Sequence, residues 1–236
     1  MRRTKDVSII IALFIAVLCL GCGKAERHAE NKIAKALQER LGPAESYEVN
    51  ITGSPMKLLK GKMERLDIVG KNVNLEKGVK LASLNVTVHD LVFNTKTQEI
   101  MYASKTSFSA AIAQDELTKY LHKNYPDVPE LKIALRTGYI DVSAKPTVAG
   151  VGVAVKTEAD IHVKDHHLLI LDLKKISAAG VPVPEFARNY IETKVNPVFD
   201  SKDLGFNATV NSIRMAQGSI CVAGNLDLVQ AVQLNK

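Results

Sequence analysis

The chain has 236 residues, 46% hydrophobic and 24% charged, with a formal charge of +6 and no tryptophan. That balance belongs to a packed protein of one large or two small domains and excludes intrinsic disorder. The basic excess is spread along the chain and aromatics are scarce at 5%, which argues against nucleic acid and suits an anionic lipid surface.

Residues 1–22 read as an export signal. Arg2, Arg3 and Lys5 precede an unbroken apolar run, Ile9–Leu20, which is too short to cross a bilayer as a stable helix. The positive end stays cytoplasmic, so the rest of the chain is delivered outside. The run closes on Leu18-Cys19-Leu20-Gly21-Cys22. Small Gly21 before Cys22 resembles a bacterial lipobox, in which Cys22 is acylated and becomes the new N-terminus. Cys19 stands where such boxes have leucine, and an uncleaved anchor or simple cleavage are the alternatives. Cys19 and Cys22 also spell C-x-x-C, but in a targeting segment with no fold around it. Only Cys221 is left for the folded part, so no internal disulfide is available and the fold must stand on its core.

From Ala25 the pattern turns helical. Ala29, Ile33, Ala36, Leu37 and Leu41 share a stripe, and Gly42-Pro43 stops it. The period then changes to two. Ala82, Leu84, Val86 and Val88 alternate with polar residues, and so does one long run from Val151 to Val163. Leu169, Leu171 and Leu173 form a further strand, as do Ile220, Val222, Leu226 and Leu228. Such alternation predicts antiparallel sheet with one face buried. The phase slips at Asp90, between Val88 and Leu91, and at Asn211, between Val210 and Ile213. Slips of this kind are expected from bulges, which curl a sheet. Two shorter helices are predicted over Asp115–Lys123, with Leu117, Tyr120 and Leu121 inward, and after Pro184, with Phe186, Tyr190, Ile191 and Val195 inward. The expected fold is one α+β domain, from Ala25 to Gln230, with a long curled antiparallel sheet wrapped around a few helices.

No nucleophile elbow, zinc-protease helix, P-loop or dinucleotide fingerprint occurs. Asp160, His162, Asp165, His166 and His167 form a cluster, but on a strand and its turn they read as a solvated hairpin, and no metal or other cofactor is expected. No carboxylate sits in an apolar context that would raise its pKa, so no catalytic residue is nominated. The connection Pro55-Met56-Lys57-Leu58-Leu59-Lys60-Gly61-Lys62 is unusual, because it mixes three large apolar residues with three lysines where a loop should be polar. Either it folds inward as a plug, with lysine stems reaching outward, or Met56, Lys57, Leu58, Leu59, Lys60 and Lys62 form a tip that docks on a membrane.

Several of these segments carry a family likeness. The run Ala25-Glu26 through Leu41-Gly42, then Val49-Asn50-Ile51-Thr52-Gly53-Ser54-Pro55, Leu58-Leu59-Lys60-Gly61 and Leu66-Asp67-Ile68, resembles the LmeA-like phospholipid-binding family of bacterial envelope proteins. The strand pair Leu131–Val142, the helix start Val181-Pro182-Val183-Pro184 and the strand Ile220–Leu228 are similar to it as well. The resemblance implies phospholipid or another envelope lipid as ligand and a sheet curled like half of a tubular lipid-binding (TULIP-like) module. It supplies no catalytic residue, and anchoring through Cys22 rests on this sequence alone. The function expected is therefore non-enzymatic lipid binding at an envelope membrane. The alternative is an envelope scaffold with a closed core and no lipid.

Overall fold

The computed structural model describes residues 30–227 except 32, 36, 40, 76–78, 95–99, 125, 127, 146, 149 and 202–207. The export signal, Cys22, Ala29, Ala36 and Leu228 lie outside the described residues. Two compact units are present. Unit 1 comprises Met1–Ala110, Lys202–Thr209 and Ala223–Lys236, and unit 2 comprises Ala111–Ser201 and Val210–Val222.

Unit 1 begins with helical residues at 30–39 (α1), whose Ile33 and Leu37 are buried. It continues with β1 (Ser46–Thr52), α2 (Pro55–Leu59), β2 (Lys62–Asn74), β3 (Lys80–Phe93), β4 (Ile100–Tyr102) and the start of β5 (Lys105–Ala113). Strand order is β1-β2-β3-β5, with β4 also paired to β3. The β1–β2, β2–β3 and β3–β4 pairings are antiparallel. Register lines up the apolar residues in rows: Val49, Ile68 and Val86 in one, Ile51, Leu66 and Val88 in the next. This is the one-sided burial that alternation requires. A third row runs Tyr47, Gly70, Leu84. Gly70 is needed there, because a Cβ would stand 2.7 Å from Val73 Cγ2 and 3.0 Å from Tyr47 Cε1.

The phase break at Asp90 is present, and its φ of 47° puts the slip in the left-handed region. A second left-handed residue, Asn72 at φ 50°, lies opposite the start of β3. There Leu81 is buried and Ala82 is exposed, the reverse of the facing expected from alternation, because the twist at Asn72 shifts the phase by one residue.

Unit 2 contains α3 (Gln114–Asn124), β6 (Lys132–Arg136), β7 (Tyr139–Ala144), β8 (Thr147–Val148), β9 (Val151–Gly152), β10 (Val155–Lys164), β11 (Leu168–Ala178), β12 (Val181–Pro182), α4 (Glu185–Val195) and β13 (Phe199–Asp200). Most of β14 (Ala208–Ala216) and half of β15 (Ser219–Leu226) also belong to it. Its sheet runs β12-β11-β10-β7-β6, antiparallel throughout, with β13 paired to one end of β11. One cluster joins Ile133, Leu135, Ile140, Met215 and Ile220, with Leu117 and Leu121 of α3 against it. Another joins Ala159, Leu173 and Ile176, with Ile191 of α4 against it. The slip after Val210 is visible in burial, which passes from Ala208 and Val210 to Met215.

Two expectations are corrected in unit 2. The Val151–Val163 run is not one strand: β9 pairs with β8, β10 starts at Val155, and Val151 is 65% exposed. Phe186 is 77% exposed and so is not on the inward stripe of α4.

Candidate functional site

The connection Pro55–Lys62 folds as a single helical turn. Pro55 occupies the first turn, where its missing N–H costs nothing. Ser54 O accepts from Lys57 N at 2.9 Å and Leu58 N at 3.0 Å, and Gly61 N donates to Leu58 O at 3.0 Å. Gly61, at φ 74°, supplies the left-handed turn into β2. Its carbonyl accepts from Phe93 N at 2.9 Å, which fastens the turn to the end of β3.

The segment divides between its two possible uses residue by residue. Leu58 is buried, with Cδ2 only 3.3 Å from where a Cβ on Gly53 would stand. Met56 is 67% and Leu59 54% exposed, next to exposed Lys57, Lys60 and Lys62. Lys57 Nζ pairs with Glu64 Oε1 at 2.7 Å, and that hydrogen bond holds its pKa above the usual lysine value. Two further large apolar side chains are exposed in the same unit, Met101 and Tyr102 of β4. A three-residue strand is too short to show a period, so nothing in the sequence singled them out.

The histidine cluster and the carboxylates lie elsewhere. His162 faces outward on β10, and Asp165 and His166 form the turn to β11 with φ of 51° and 59°. His167 Nδ1 lies 2.6 Å from Asp165 O. Among the described residues no group of three or more His, Cys, Asp or Glu is placed to hold a metal ion. Asp67 and Asp172 have lowered pKa values, Asp67 chiefly through its hydrogen bond from Arg65 and Asp172 through that from Lys174. A general acid needs the opposite shift. A cavity of about 310 Å³ in unit 2 is lined by His122, Pro126, Val128, Glu130, Leu131 and Lys132. That volume is at the lower end for ligand pockets.

Antiparallel sheets with one apolar face and short helices packed against them define a predominantly antiparallel architecture with helices set on the sheets. The chain belongs to the LmeA-like phospholipid-binding family, whose model matches residues 24–225. No curated protein and no solved structure gives a match to the chain.

Proposed function

We propose that this protein binds phospholipid at a membrane of the bacterial cell envelope and catalyses no reaction. The observation that carries this reading is the family match, which spans nearly the whole chain after Cys22. The one-sided apolar sheet rows are compatible with a TULIP-like half-module. Export by residues 1–22 and acylation at Cys22 would hold the protein at the membrane. Within this reading, Met56 and Leu59 enter the headgroup region while Lys57, Lys60 and Lys62 meet anionic lipid, and Leu58 holds the turn from inside.

Native mass spectrometry of the protein purified from membranes tests the reading: a phospholipid should remain bound. A second reading, an envelope scaffold without lipid, is favoured by the tight interior, where Leu135 and Ala159 are 0% exposed. Bare protein in the same measurement would favour the scaffold and overturn lipid binding.

A further inference from the structure

We infer that β4 forms the second half of the membrane-facing surface, so that Met101 and Tyr102 dock beside Met56 and Leu59 on an anionic bilayer. This rests on the reading that the Pro55–Lys62 turn meets lipid. It adds a segment distant in sequence and fixes the lipid class by charge.

Backbone pairing places the two segments together. Lys62 pairs with Val92, and Val92 pairs with Tyr102, so Lys62 and Tyr102 flank one residue of β3 in a single cross-strand row. Directly paired residues project from the same face, and strands lie about 4.8 Å apart, so the two residues are roughly 10 Å apart on one face. The next β3 residue, Phe93, pairs with Ile100 and donates its N–H to Gly61 at the end of the α2 turn. The register shift at this point leaves Met101 without a paired residue on β3, as in a bulge, and Met101 is 62% exposed. Bulges re-aim side chains at sheet edges. Ile100 is buried, so β4 is anchored by one residue and presents the other two.

Charge selects the occupant. Glu64 is paired with Lys57, and Asp90 keeps its charge while accepting from the Ser104 hydroxyl, whereas Lys60, Lys62 and Lys105 have no ion pair among the described residues, so the patch stays net positive. Apolar tips interleaved with unpaired lysines match an anionic lipid surface. Tyr102 combines an apolar ring with a polar hydroxyl, as residues at a membrane interface do.

The chain has no tryptophan, so Tyr102→Trp introduces a single reporter. The full chain carrying it is reconstituted in vesicles of phosphatidylcholine alone or with phosphatidylglycerol added. Anchoring is then equal in both, and only local docking differs. With phosphatidylglycerol the emission should move to shorter wavelength and be quenched by brominated acyl chains. Both effects should fade as salt screens the lysines. Tyr139→Trp, at a 40% exposed site of unit 2, reports on a surface outside the proposal and should not respond. Met101→Asp in the Tyr102→Trp background should remove the response, and circular dichroism checks that this variant is folded. If emission from the Tyr102→Trp protein is unchanged in both vesicle types, the inference is overturned. If phospholipid still co-purifies in that case, the proposed function survives without it. A shift equal in both vesicle types overturns the anionic specificity.

Discussion

At the scale of single residues, the end of α1 shows how tightly the chain is constrained. Gly42 sits at φ 131°, and a Cβ there would lie within 1.9 Å of Asn74 O. Its carbonyl accepts from the hydroxyl of buried Tyr47 at 3.0 Å. Burial pushes the Tyr47 pKa up to about 12, because the phenolate would lose its hydration. The protonated form is thus favoured by folding. Its contribution is complete below pH 10, the unfolded value, and is lost as pH rises from there through about 12. The ceiling on that loss is about 2–3 kcal/mol. Tyr47→Phe should cost about 1 kcal/mol at neutral pH through the missing hydrogen bond, yet be less sensitive to alkali. Urea unfolding of both proteins between pH 7 and pH 11.5 should therefore give converging stabilities. Parallel curves would show that Tyr47 is not the titrating group. Gly42→Ala should destabilise more than either, since both the φ and the contact forbid it.

At the scale of elements, helices here act through polar side chains as much as apolar ones. Between β12 and β13 the edge of β11 is open, and α4 closes it. Asn196 just after the helix exchanges both backbone bonds with Leu171, at 2.8 and 2.7 Å, and Glu192 accepts from Leu173 N at 2.8 Å. These side chains replace a neighbouring strand and blunt an edge that would otherwise invite pairing. Asn196→Ala leaves two half-buried backbone groups unpaired and should cost about 2–4 kcal/mol in denaturant unfolding, with greater self-association by light scattering. The α2 turn offers a contrast within adjacent positions. Leu58→Ala should cost about 2–4 kcal/mol, while Leu59→Ala should stay within about 0.5 kcal/mol. Equal losses would mean that Leu59 is also part of the core. The same elements mark how much could be read from the sequence. The Gly42-Pro43 stop, the Asp90 slip and the alternation of β10 and β11 come from local pattern, which depends on neighbours one to four residues apart. The outward Phe186 does not, because Glu192 accepts from β11 and Asn196 both accepts from it and donates to it, which helps fix the helix there. Nor does the exposure of Ala82, set by Asn72 on another strand, or the pairing of β4 beside the α2 turn. Each of these depends on a partner distant in the chain, which a periodicity cannot register.

At the scale of the whole molecule, the question is whether a folded part with modest apolar tips can remain at a membrane. Completing the burial of Met56 and Leu59 would contribute about 2–4 kcal/mol, and each nearby lysine about 1 kcal/mol, before the cost of ordering. One acyl chain alone is also a marginal, reversible anchor. With Cys22 acylated as proposed, the two together would suffice, because a tether makes docking effectively intramolecular and multiplies the two affinities. The family match begins at residue 24, directly after Cys22, so the tether would be short. Acylation at Cys22 is therefore expected to matter more for membrane retention than any single tip residue. Cells fed an alkyne fatty acid should label the wild-type protein and fail to label Cys22→Ala. Cys19→Ala should still be labelled, since Cys19 occupies the leucine position of the box and Cys22 the acylated one. Cys221→Ser should be labelled too, which separates lipobox chemistry from adventitious acylation of the exposed Cys221 thiol. Labelling that survives Cys22→Ala but not Cys221→Ser would move the attachment to β15 and remove the short tether. Label equal in all four proteins would mean that no cysteine carries it.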